Sequence, residues 1–234
     1  MMKLPSKTPV RSYKTEFSTD EIPLSEGGLW LNGRKDGVDW ADVLVRGGRA
    51  YGEVTRMTAR EKRAGQAGLG ASPVAGEVEG DYDDPTAVLT GNWGKDQYAN
   101  ARVFSRKQTG RYFQEVEIRL RSSVKPHWCD GYEVFFRCLK TDEGYAEIVR
   151  WNGKIGDFTS LKKLIGRDYG VQDGDLIAAS IVGNVIRGYI NGEEMISAVD
   201  DRIKSGSPGI GFNFFVGDTN VDHGLTSFEV HTYD

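Results

Sequence analysis

Cysteine, histidine and methionine are scarce in this chain: two, three and four residues among 234. Cys129 and Cys138 stand nine positions apart and lack the four-ligand set of a structural zinc site. Cys138 falls in an apolar, strand-like pattern and reads as a buried free thiol, with a disulfide to Cys129 the less indicated alternative. His127, His223 and His231 lie in or near loops and at the chain end, so they read as surface residues rather than catalysts. No apolar run is long enough to cross a bilayer. The opening stretch MMKLPSKTPVRSYKTEF lacks the apolar core of a secretory signal. A net charge of −4, with no block of like charge, argues against nucleic acid and anionic membrane surfaces as partners. Nucleotide-binding loops, nucleophile elbows and zinc-protease motifs are likewise missing.

Glycine is abundant, at thirty residues, and suits many short strands joined by tight turns. The length is long for an average domain but ordinary for one all-β sandwich, so residues 1–234 are expected to form a single domain. RYFQEVEIRLRSS (111–123) alternates with period two: Gln114, Val116, Ile118 and Leu120 on one side, Glu115, Glu117, Arg119 and Arg121 on the other. Further strands are expected in GYEVFFRCLK, GYAEIVRW, PGIGFNFFV and LTSFEVHTYD, and with weaker alternation in GLWLNG, DWADVLVRGG and AYGEVTRM. DLIAASIVGNVIRGYINGEE reads as a hairpin through Gly183-Asn184, with a further turn at Asn191-Gly192. The Gly- and Ala-rich stretch at about 59–85 breaks this rhythm and reads as a long loop. Trp93, Tyr98 and Trp128 fall in loop-like segments.

If residues 140–144 close a hairpin, Arg137 faces Glu147, Phe135 faces Val149 and Glu133 faces Trp151. Val134, Phe136, Cys138, Ala146 and Ile148 then share an apolar, core-directed face, while the first set suits an open sheet. Arg150 has core parity near a strand end, and Asn152-Gly153 reads as a turn.

The segment DGDLIAASIVGNVIRGYINGEEMISAVDDRIKSGSPGIGFNF, with its G-N-x-I hairpin, Asn191-Gly192 and G-x-P-G-I-G-F, resembles the concanavalin A-like lectin/glucanase superfamily. The resemblance lies with its laminin G-like and 3-keto-disaccharide-hydrolase-like branches and covers roughly residues 85–234. It implies an all-β jelly-roll sandwich of two antiparallel sheets, one concave, whose glycan-active members use the concave face. It also brings the association that such domains are more often extracellular and often carry one structural calcium. Asp81, Asp83 and Asp84 in GDYDDP supply hard oxygen donors of the kind calcium prefers, although Asp-Pro clusters are also ordinary turns.

Glucanases of this superfamily carry Glu-x-Asp-x-Glu on one strand; here Glu115 and Glu117 are followed by Arg119 where the third acid would stand. The alginate-lyase signatures are absent as such. Sugar binding asks for less: an aromatic ring to stack on a pyranose and planar polar groups to fix its hydroxyls. Trp151, Glu133, Arg137, Arg119, Arg187, Trp128 and Trp93 are the candidates for that work. The leading expectation is therefore a lectin-like domain that binds a polysaccharide or oligosaccharide on its concave sheet and needs no cofactor. A glycoside hydrolase or polysaccharide lyase using Glu115, Glu117, Glu147 and Tyr189 is the enzymatic alternative, and a laminin G-like adhesion domain the third.

Overall fold

In the computed structural model, residues 8–53, 84–108, 114–154, 156–214 and 222–234 are described. The chain contributes β1 (Arg11–Thr15), β2 (Trp30–Asn32), β3 (Val43–Val45), β4 (Ala50–Gly52) and β5 (Thr86–Leu89). There follow β6 (Asp96–Ser105), β7 (Gln114–Lys125), β8 (Trp128–Arg137), β9 (Tyr145–Lys154) and β10 (Phe158–Ile165). The last five are β11 (Leu176–Val182), β12 (Val185–Ile190), β13 (Glu193–Val199), β14 (Ser207–Phe214) and β15 (His223–Tyr233). Short 3-10 turns are the only helical elements among the described residues, and none is long or apolar enough to cross a membrane.

These strands build two antiparallel sheets. The first runs β13-β12-β11-β6-β15-β4-β3, with β1 also on β15; the second runs β10-β9-β8-β7-β14-β5-β2. The largest apolar set points between them. Val116, Ile118, Val134, Phe136, Ile148, Ile210 and Phe212 of the second sheet meet Ala99, Ala101, Ile177, Ile186, Phe228 and Val230 of the first. Burial of these side chains, at roughly 1.5–3 kcal/mol each for the larger ones, drives the sheets together.

The central strands of the second sheet are buried on both faces, not half-buried as their alternation implies. Along β7 the outward-pointing Glu115, Glu117 and Arg119 are as inaccessible as Val116 and Ile118. A smaller apolar cluster lies on this outer face: Val38, Trp40, Val88, Val124, Cys129, Val149 and Trp151. Val38 and Trp40 come from the link between β2 and β3, which folds back across the strands. Asn32 fixes that link from inside, donating to Leu24 O and Val43 O and accepting from the Val43 amide.

Register differs from expectation in one consistent way. Phe135 pairs with Glu147, Glu133 with Val149 and Gly131 with Trp151. The connection spans 138–144 rather than 140–144: the Cys138 amide still bonds Gln114 O in the ladder with β7, and the chain bends just after it, where the Leu139 amide bonds Arg137 O. A slip of two residues keeps every side chain on its expected face but changes its cross-strand neighbour. Asn152-Gly153 lies within β9, and the turn is closed later, by the Asp157 amide on Lys154 O. Tyr98 and Trp128 belong to β6 and β8, not to loops. His223 is wholly buried, against Phe212 and Phe214, and is not a surface residue. Both cysteines are buried free thiols.

Candidate functional site

Alternation along β7, β8 and β9 brings Glu115, Glu117, Arg119, Glu133, Glu147 and Trp151 to the outer face of the second sheet. At their centre the Arg119 guanidinium lies between two carboxylates, with Nη2 3.3 Å from Glu133 Oε1 and 3.9 Å from Glu117 Oε2. Its Nη1 donates to Cys129 Sγ at 3.7 Å. The guanidinium carbon sits 4.9 Å from the Trp40 ring centre and 5.4 Å from that of Trp151. The two indoles meet edge-on at 5.0 Å, and Trp151 Nε1 donates to Glu133 Oε2 at 2.6 Å. Glu133 and Trp151 are thus partners, but along a diagonal rather than directly across the strands.

Burial governs the acid–base character of this group. The Arg119 guanidinium would be driven down by desolvation, but the Glu133 carboxylate, with Cys129 and Glu117 contributing less, holds it firmly protonated. Desolvation raises the Glu117 carboxyl well above its ordinary range, and the neighbouring Glu133 charge raises it further. Glu115 is pushed up to about 8, chiefly by burial, despite a hydrogen bond from the Tyr145 hydroxyl that favours its charge. Glu147 pairs with Lys163 Nζ at 2.7 Å. These carboxyl groups are shut off from solvent by the sheet and its cover, so a sugar cannot reach them in this arrangement. The same holds for Trp151, only 3% exposed, which has no face left for stacking.

The remaining candidates divide between places. Arg137 lies at the far end of β8, where it donates to Glu143 O. Arg187 and Tyr189 are on β12 and face outward from the first sheet, where Tyr189 packs with Tyr98 and Ala178, and Arg187 pairs with Glu194 at 3.3 Å. They do not converge with Glu115 and Glu117: strand alternation identifies an outward face without telling which sheet owns it. Arg121 also parts from Arg119. A bulge between Leu120 and Ser123, with Arg121 at φ 47°, turns its guanidinium toward Lys95 O, Ile203 O and Gly183 O.

Of the candidate calcium ligands, Asp81 and Asp83 lie outside the described residues. Asp84 is described, and no group of three acidic, histidine or cysteine side chains suited to a metal occurs among the described residues.

Trp128 is different. It follows a two-residue turn, Pro126-His127, in which His127 takes a φ of 59° and is tied to Asp39. Its Nε1 donates to Asp130 Oδ2 at 3.1 Å. Its ring lies against the backbone of Gly153, where any Cβ would run into the indole, and Gly153 itself holds a φ of 107°. With 45% of its surface exposed, Trp128 is a large aromatic held at its edge and back and open to water. Asp130 escaped notice in the sequence, and Gly153 reads there only as half of an Asn-Gly turn; the signal available was a glycine within a strand, which marks close approach by another group.

Solved structures with the same arrangement of sheets were found at low sequence identity. The exoplasmic/lumenal domain of VIP36 in its metal-free form superposes with a TM-score of 0.55 at 10% identity, over 95% of this chain and 94% of that one. The β-glucanase of Bacillus licheniformis gives 0.53 at 14% identity, over 95% and 98%. The fold is the concanavalin A-like jelly roll. The carbohydrate-binding module CBM66 from Bacillus subtilis shares this jelly roll with a TM-score of 0.52 at 11% identity, over 83% of this chain and 96% of that one. No family model matches the sequence, and no curated protein matches it.

Proposed function

We propose that this jelly roll is a lectin-like domain that binds a polysaccharide or oligosaccharide on the second sheet, at the end where Trp128 stands. The observation that carries this reading is the fixed indole. A ring already immobilised by Asp130 and Gly153 loses little freedom on stacking against a pyranose, so binding keeps more of the contact energy. Asp130, which holds the indole edge, also presents a carboxylate beside the ring for sugar hydroxyls. The likeness to CBM66, to the β-glucanase and to VIP36 supports the fold in which such a surface is set.

Retention on a panel of insoluble neutral and acidic glycans tests the proposal. The intact protein is expected to be held by at least one, and Trp128→Ala to weaken that retention about tenfold. Unchanged retention of Trp128→Ala would remove this indole from the site.

A further inference from the structure

On the carbohydrate-binding reading above, a second feature of the same sheet indicates which saccharides are taken. A cleft of about 530 Å³ opens between the ends of β2, β5 and β7 and the connection from β13 to β14. Val88 and Val124 form an apolar floor, Trp93 a wall, and Asn92, Ser123 and Ser205 a polar rim. Among the described residues that line it there is no Asp, Glu, Lys, Arg or His.

The walls are held in place independently of any ligand. Trp93 Nε1 donates to Thr90 O at 3.1 Å, and the Arg11 guanidinium stacks 3.8 Å from the ring centre. The β13–β14 connection is pinned by Arg121 Nη1 on Ile203 O at 3.0 Å and by Gln97 Nε2 on Gly206 O at 2.8 Å. The bulge that diverts Arg121 from the outer face is therefore what anchors one side of the cleft.

An apolar floor, an aromatic wall and a rim of uncharged hydroxyl and amide groups match a pyranose, which has an apolar face and a hydroxyl edge. The cation next to the wall, Arg11, is already engaged by the Trp93 ring and by Asn92 O, so a carboxylate or sulfate placed there would lose water for little counter-charge. We propose that this cleft is a subsite for a neutral saccharide, and that uronate- or sulfate-bearing units are excluded from it.

Calorimetric titration of the full chain with neutral and uronate oligosaccharides tests this, alongside two variants. Ser205→Trp fills the cleft from an exposed loop, and Trp93→Ala removes its wall; a matching thermal midpoint for Ser205→Trp confirms that its fold is kept. The expected result is binding of a neutral oligosaccharide that falls about tenfold in each variant and changes less than about twofold between roughly 0.05 and 0.5 M salt. Neutral binding that survives both variants but is lost in Trp128→Ala would overturn the cleft and leave the lectin reading standing. Binding confined to uronates and weakened by salt would overturn the neutral class. Binding of no glycan at all would overturn the lectin reading itself and the cleft with it.

Discussion

Glu115 holds its proton far above the usual carboxylate range, at about 8 against 4.5 when exposed, because burial penalises its charge. The linkage follows directly. Below pH 4.5 the group is protonated folded or unfolded, and its stabilising contribution is fully present. Between 4.5 and about 8 only the unfolded chain ionises, so stability falls as pH rises through that window. Urea unfolding should give a lower stability at pH 8 than at pH 5, by on the order of 2–4 kcal/mol, and Glu115→Gln should flatten the slope. Identical slopes in the two proteins would mean that Glu115 is not the responsible group. Arg119 bears on the same cluster. Arg119→Met leaves Glu133 buried beside no cation and should cost roughly 3–5 kcal/mol, whereas Arg119→Met with Glu133→Gln should recover much of it. At this scale the sequence was legible in parity and silent on burial. Period two placed Glu115, Glu117 and Arg119 together, but the cover comes from Trp40, about eighty residues away in the chain, and no local pattern announces a contact of that range.

Elements explain why two tryptophans of one sheet differ in role. Trp151 sits mid-sheet beneath Trp40 and against Phe158, at ring distances of 5.0 and 5.4 Å; Trp128 stands at the start of β8, where nearly half of its surface stays open. Trp151→Ala should therefore lower stability by about 3–5 kcal/mol and affect glycan retention only through the folded fraction. Trp128→Ala, which gives up a half-buried ring and one hydrogen bond, should cost only about 1–2 kcal/mol while retention falls. Thermal midpoints measured beside retention separate the two, and a stable Trp151→Ala with lost retention would contradict this assignment. Gly153→Ala joins them: its Cβ would displace the indole and its φ of 107° disfavours any side chain, so a loss of roughly 1–3 kcal/mol is expected with weakened retention. Turn chemistry misled here, since Asn-Gly is a strong hairpin signal, yet in β9 the glycine makes room for a ring from the neighbouring strand. The hairpin at Asn191-Gly192 obeyed the same signal, with both residues at positive φ, because no other element crowds it.

At the scale of the molecule, one carboxylate ties the sheets together. Asp200, just past β13 of the first sheet, accepts from the Tyr132 hydroxyl at 2.6 Å and pairs with Arg150, both on the second. Burial alone would raise its carboxyl, but Tyr132, the Arg202 amide and Arg150 together hold it below the ordinary range. That contribution is present above the unfolded value and is lost as pH falls through the folded one, the reverse of Glu115. Asp200→Asn should therefore soften the loss of stability in acid without altering the alkaline limb, as urea unfolding below pH 4 would reveal. The jelly roll itself was legible from strand periodicity and the G-x-P-G-I-G-F segment, whereas the allotment of strands to sheets, which sent Arg187 and Tyr189 to the opposite side from Glu115, depends on long-range pairing. The distribution of indoles across this architecture has an optical consequence. Trp30, Trp40 and Trp151 are sealed from water, Trp93 is half-buried, and Trp128 alone of the five is widely open. A water-borne collisional quencher such as iodide should thus extinguish chiefly the red-shifted emission of Trp128, and a saccharide seated on that ring should shield it, giving the molecule a built-in fluorescent gauge of its own occupancy.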